Sequence, residues 1–119
     1  MGLTGRGRGV GRFVKGEVVV LPFPFSDLSA SKRRPALVIA PLQGVDVILC
    51  MITSRAVKDS NAIPLTHSDF ISGSLSQQSN VRPNRLFTAD SRIILRSVGK
   101  LSDDKMKEVV DAIVKIIRA

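Results

Sequence analysis

Apolar residues in this chain come in short β-branched runs that end at proline or at a polar turn, until residue 102, where the period changes. Proline cannot donate to a ladder in mid-sheet, so each stop limits the length of a strand. "EVVVLPF" (17–23) runs into Pro22 and Pro24, and "RPALVIAP" (34–41) lies between Pro35 and Pro41. "VDVILCMIT" (45–53), the longest apolar run, reads as the central strand, with Leu42–Gly44 turning a hairpin into it. "NAIPLT" (61–66) is an edge strand because Pro64 sits inside it, and "SNVRPNRLFT" and "RIILRSVGKL" supply two more. His67 and the "SDF" that follows it read as a loop or helical turn.

From residue 102 the spacing is helical. Ser102 is placed to cap a helix whose first turn holds Asp103 and Asp104, which suit the positive end of the helix dipole. Met106, Val109, Val110, Ile113, Val114 and Ile117 fall on one apolar face, and Arg118 suits the C-terminus. The expected class is therefore mainly β with one helix: a small barrel of about five to seven short strands, covered by a C-terminal amphipathic helix. A length of 119 residues fits one domain with a real core and no disulfide staples. That domain is expected over 15–119. Residues 1–14 read as a flexible arm, because five of the nine glycines fall in its first eleven positions, with Arg6 and Arg8 between them and Arg12 just after.

The charge is asymmetric. Net charge is +8, and Leu101–Ala119 cancels internally, so residues 1–100 hold the whole excess, fourteen bases against six acids. Such a surface favours a polyanion, most often nucleic acid. The single cysteine, Cys50, lies mid-strand and reads as an inert core thiol, consistent with a reducing cytoplasm. No apolar stretch approaches the ~20 residues of a membrane span. With one histidine, no paired cysteines and no acidic cluster outside the helix cap, neither a metal site nor a two-histidine mechanism is expected, and no cofactor is implied.

What remains is arginine beside hydroxyls. "SKRRPALVIAP" sets Lys32, Arg33 and Arg34 at the mouth of a core strand, and the next strand ends in "ITSR" (52–55). Antiparallel pairing through the Leu42–Gly44 turn brings Arg34 beside Thr53 and Ser54 at one rim. A guanidinium beside hydroxyls suits an oxyanion or phosphate, which Arg grips through two parallel hydrogen bonds. An arginine that caps a sheet edge, with threonine chosen for β-propensity, fits the residues equally well.

The stretch "KGEVVVLPFPFSDLSASKRRPALVIAP" resembles the N-terminal signature of MazF/PemK-like toxins, the mRNA interferases of type II toxin–antitoxin systems. "MITS" is similar to the second motif of that family, and "LFTADSRII" followed by "VGKLSDDKMKEVVDAI" is similar to its last strands and helix. The resemblance spans Lys15–Ile117. It implies an SH3-like barrel that dimerises, pairs with a small acidic antitoxin protein and cuts single-stranded RNA without metal. In that reaction a 2′-hydroxyl attacks the adjacent phosphorus and leaves a cyclic phosphate and a 5′-hydroxyl. On the matching motifs, Arg34 falls on the catalytic arginine and Thr53 on the catalytic hydroxyl.

Many relatives carry an acid where this chain has Ala89, which leaves Asp27 and Asp90 as candidates for the general base. Lys32 and Arg33 are expected to position phosphates, together with Ser54, and Arg55, Arg82 and Arg85 to extend the track. The alternative on the same barrel is a noncatalytic nucleic-acid-binding module that acts on RNA or promoter DNA.

Overall fold

The computed structural model describes residues 13–23, 32–54 and 59–119. Among these residues there are seven strands: β1 (Glu17–Phe23), β2 (Lys32–Pro41), β3 (Asp46–Thr53), β4 (Ile63–Leu65), β5 (Phe70–Gly73), β6 (Ser79–Asp90) and β7 (Arg96–Leu101). An α-helix, α1 (Asp103–Arg118), follows β7. The strands form one sheet in the order β4-β6-β3-β2-β1-β7-β5, antiparallel throughout. The sheet curls into a half-barrel. Each of four pairings shifts register once, at Val18/Val19, Val38/Ala40, Cys50/Ile52 and Phe70/Ser72, and such irregularities bend the strands that carry them.

The strands at the centre carry apolar residues on both faces, so curling buries two clusters. Val18, Leu37, Cys50, Ile52, Val81 and Leu101 pack with Met106, Val109 and Ile113 of α1. Val19, Leu21, Ala36, Val38, Val47 and Leu49 form the second cluster on the opposite face. Ser102 caps α1, its hydroxyl accepting from the N–H of Lys105 at 3.2 Å. The apolar face of α1 is narrower than the spacing predicts: Val114 and Ile117 are exposed. No helix among the described residues is long and apolar enough to cross a membrane.

Two elements differ from the sequence reading. The strand expected over 92–101 begins only at Arg96, because the Asp90 carboxylate accepts from the N–H of Arg92 and a turn of 3-10 helix occupies Ser91–Ile93. His67–Asp69 is the helical turn expected, but the chain leaves it directly into an unpredicted strand, β5. β5 pairs only with β7, and it ends at Gly73, whose φ of +65° turns the chain into the next loop. Pro83 is tolerated inside β6 because it lies where the ladder to β3 skips, between Val81 opposite Ile52 and Leu86 opposite Cys50. The Cys50 thiol donates to the carbonyl of Arg82 in that irregularity at 2.7 Å.

Of the glycine-rich arm, residues 1–12 lie outside the described residues. Phe13 packs against the second cluster and the N–H of Val14 donates to Glu17 Oε2 at 2.7 Å, so the barrel's contacts begin before Lys15.

Candidate functional site

The cations of "SKRRPALVIAP" stand on the sheet itself, because β2 begins at Lys32. On the β1 side, Leu21 pairs with Arg34, Pro22 with Arg33 and Phe23 with Lys32. On the β3 side the ladder runs to Ala36 opposite Met51, and Arg34 and Thr53 lie two residues beyond that pair at the same rim. Lys32, Arg33 and Arg34 are all exposed, and Thr53 is half-buried beside the exposed Ser54.

Arg33, Arg34, Thr53 and Ser54 border one open cavity of about 500 Å³. Pro35, Ile52 and the loop between β5 and β6, Ser74–Gln77, also border it. So does a third arginine, Arg96. Arg96 pairs with Val20 in β1, and Val20 pairs with Pro35 in β2, so three adjacent strands bring Arg96 to the rim next to Arg34. The sequence reading missed this residue. Its only trace there is a cation at the start of a β-patterned run, and nothing local says that β7 lies beside β1.

The described wall of this cavity holds three arginines and several hydroxyls but no carboxylate and no imidazole. A concave surface with fixed cations and hydroxyl donors is matched to a phosphodiester, whose charge sits on nonbridging oxygens.

The other expected residues fall elsewhere. Asp27 and Arg55 lie outside the described residues. Arg82 is tied to Asp59, with Nη2 3.1 Å from Oδ2 and both side chains less than one-fifth exposed, so its charge serves the fold. The Asp59 carboxyl is held below the usual carboxylate range by the N–H of Asn61 and by Arg82. Arg85 is exposed within the β6 irregularity and is not part of the cavity wall. Asp90 pairs with Asp46 at the opposite end of β3 from Thr53. Seven strand residues span roughly 23 Å at about 3.3 Å each, too far for Asp90 to act on a group at Thr53 of the same chain. Its carboxyl is moreover held low by the Arg92 guanidinium, 2.7 Å away.

Cys50 is fully buried, and burial pushes its thiol up to about 12, which agrees with an inert core role. Among the described residues no group of three or more His, Cys, Asp or Glu is placed to hold a metal ion.

Comparison with known proteins follows the same lines. The model of the PemK-like, MazF-like toxin family of type II toxin–antitoxin systems matches residues 14–117. Among solved structures, the chain is similar to MazE–MazF (Form-III) from Deinococcus radiodurans, with a TM-score of 0.71 at 22% identity over 88% of this chain and 95% of that one. It is also similar to an endoribonuclease in complex with its cognate antitoxin from a mycobacterial species, with a TM-score of 0.70 at 13% identity over 88% and 94%. The Mycobacterium tuberculosis toxin MazF-mt6 gives a TM-score of 0.67 at 17% identity over 86% and 96%. At these identities the structural likeness bears on the fold. Comparison with curated proteins gives no match. With a family model covering nearly the whole chain and the same half-barrel beneath it, the chain belongs to the PemK-like, MazF-like toxins of type II toxin–antitoxin systems.

Proposed function

We propose that this protein is the toxin of such a system and a metal-independent endoribonuclease acting on single-stranded RNA. The observation that carries the reading is Arg34 and Thr53 bordering one cavity that also holds Arg33 and Arg96. A scissile phosphate seated there has its nonbridging oxygens toward the guanidinium of Arg34 and the hydroxyl of Thr53. The 2′-oxygen attacks phosphorus as the bond to the 5′-oxygen breaks, and the pentacoordinate species carries more negative charge than the ground state. A planar, two-pronged cation and an oriented hydroxyl stabilise that added charge, which is where rate is gained. The products are a 2′,3′-cyclic phosphate and a 5′-hydroxyl.

With no carboxylate or imidazole on the described wall, these residues act by charge stabilisation. The 2′-hydroxyl proton leaves to water or to a group beyond the described residues, of which Asp27 is the acid nearest to Arg34 in sequence, and the departing 5′-oxygen takes a proton from water. Lys32 and Arg33 hold the flanking phosphates. The exposed apolar side chains, Ile117 at 69% exposure among them, support a homodimer and a bound acidic antitoxin. The setting is the cytoplasm, where messenger RNA is found.

The absence of a carboxylate or imidazole from the described wall supports a second reading in which the chain binds nucleic acid without cutting it. The deciding experiment incubates a single-stranded RNA in EDTA with the wild type or Arg34→Ala. Cleavage by the wild type alone, with 5′-hydroxyl products, supports the nuclease. Binding without cleavage by either supports the second reading.

A further inference from the structure

We infer that a second cavity, on the other side of the β5–β6 loop, receives a nucleobase of the bound strand and reads its edge; this rests on the RNA-cutting reading above. The cavity measures about 320 Å³ and is bordered by His67, Phe70, Gln77 and Gln78. Ser74–Gln77 border both this cavity and the arginine-lined one, so the two are separated by the width of a single loop. A strand with one phosphate at Arg34 therefore has its neighbouring nucleotide within reach of the second cavity.

The chemistry of the two cavities differs. None of Ser74–Ser79 is charged, in a chain of net charge +8. Neutral amides are a poor match for a phosphate and a good one for a base edge, because each glutamine side chain offers both a donor and an acceptor. Phe70 and His67 supply the ring faces on which an unstacked base rests. Phe70 is half-buried with its ring against Gly99, where an added Cβ would come within 2.9 Å of a ring carbon, so that contact fixes the ring's position.

The turn that carries His67 is also anchored. The N–H of Thr66 donates to Asp69 Oδ2 at 2.8 Å, Lys105 Nζ stands 3.6 Å from the same oxygen, and the N–H of Ser102 donates to the Asp69 carbonyl at 2.7 Å. A preformed wall loses little conformational freedom on binding and discriminates between ligands of similar size.

The test uses four homopolymeric octanucleotides with 2′-fluoro sugars, which lack the attacking hydroxyl and stay intact. Their affinities are measured by fluorescence anisotropy for the wild type, for Gln77→Ala combined with Gln78→Ala, and for Phe70→Leu. The glutamines are exposed, so the double variant keeps the fold even where Phe70→Leu weakens it. The wild type is expected to prefer one base over another by about tenfold or more. The glutamine variant should bring that ratio toward one while leaving the salt dependence of binding unchanged. A preference that persists undiminished in both variants overturns the subsite, as does a wild type that binds all four equally. Both of those outcomes leave the nuclease reading intact, because phosphate contacts alone sustain it. A wild type that binds none of the four at low salt overturns both.

Discussion

The guanidinium of Arg82 lies 3.1 Å from the carboxylate of Asp59, twenty-three residues earlier, and pins the segment after β3 to β6 just behind the rim that carries Thr53. This pair makes stability depend on acid pH. The folded-state carboxyl of Asp59 titrates below its ordinary 3.8, so its contribution is complete above that value and is lost as pH falls from there through the lowered folded value. The denaturation midpoint of the wild type should exceed that of Asp59→Asn at neutral pH, and the gap should close as the solution is acidified below pH 3.8. A gap independent of pH would show that the carboxylate charge plays no part.

Salt dependence separates the rim cations from this structural one. Each phosphate contact on a single strand contributes about 0.7 to the slope of log affinity against log salt concentration. Neutralising Lys32 and Arg33 together should therefore flatten the slope by about 1.4, whereas Arg82→Gln should barely change it. Equilibrium binding of a short RNA at several salt concentrations, with circular dichroism as the folding control, checks both.

The chemistry itself is tested at Arg34 and Thr53. Arg34→Lys keeps the charge and loses the planar two-pronged contact, so binding should hold while cleavage falls. Thr53→Val removes the hydroxyl with little change of shape, and loss of one such donor typically costs on the order of a hundredfold or more in rate. Thr53→Ser should be mild. Single-turnover cleavage in EDTA is the measurement, and wild-type rates in both Arg34→Lys and Thr53→Val would remove these residues from the site.

Two glycines with positive φ differ in what surrounds them. Gly44 sits in the β2–β3 turn at φ +78° with nothing within 4 Å of an added Cβ, so Gly44→Ala should cost only backbone strain, about 1–2 kcal/mol. At Gly73, φ +65°, a Cβ would stand 2.0 Å from the carbonyl oxygen of Val98, and the backbone of β7 must move to admit it. Gly73→Ala should therefore destabilise by more than ~2 kcal/mol, read as a clear gap between the two variants in chemical denaturation.

Much of this architecture was legible along the chain. Proline stops, β-branched runs and the Leu42–Gly44 turn specify a hairpin, and a hairpin is local: its two strands pair, so the start of β2 and the end of β3 share a rim, with Arg34 near Thr53 and Ser54. Counting does not give the exact register, because the irregularity at Val38/Ala40 shifts it by one residue. Helical spacing after the Ser102 cap is local in the same sense, and so is the burial of Cys50 in the middle of an apolar strand. Tertiary structure alone decided how distant strands lie beside one another. Arg96 reaches the rim because β7 pairs with β1, some eighty residues away in sequence. β5, at four residues too short to show a period, exists because β7 offers it an edge. Arg82 and Asp90 looked in sequence like further charges near the site; β6 crosses the sheet so that Asp59 neutralises the first and the length of β3 removes the second from reach. A local pattern reports which face of an element is apolar, but the pairing of remote edges is set by how the whole sheet buries both of its faces at once, and that is a property of no single stretch.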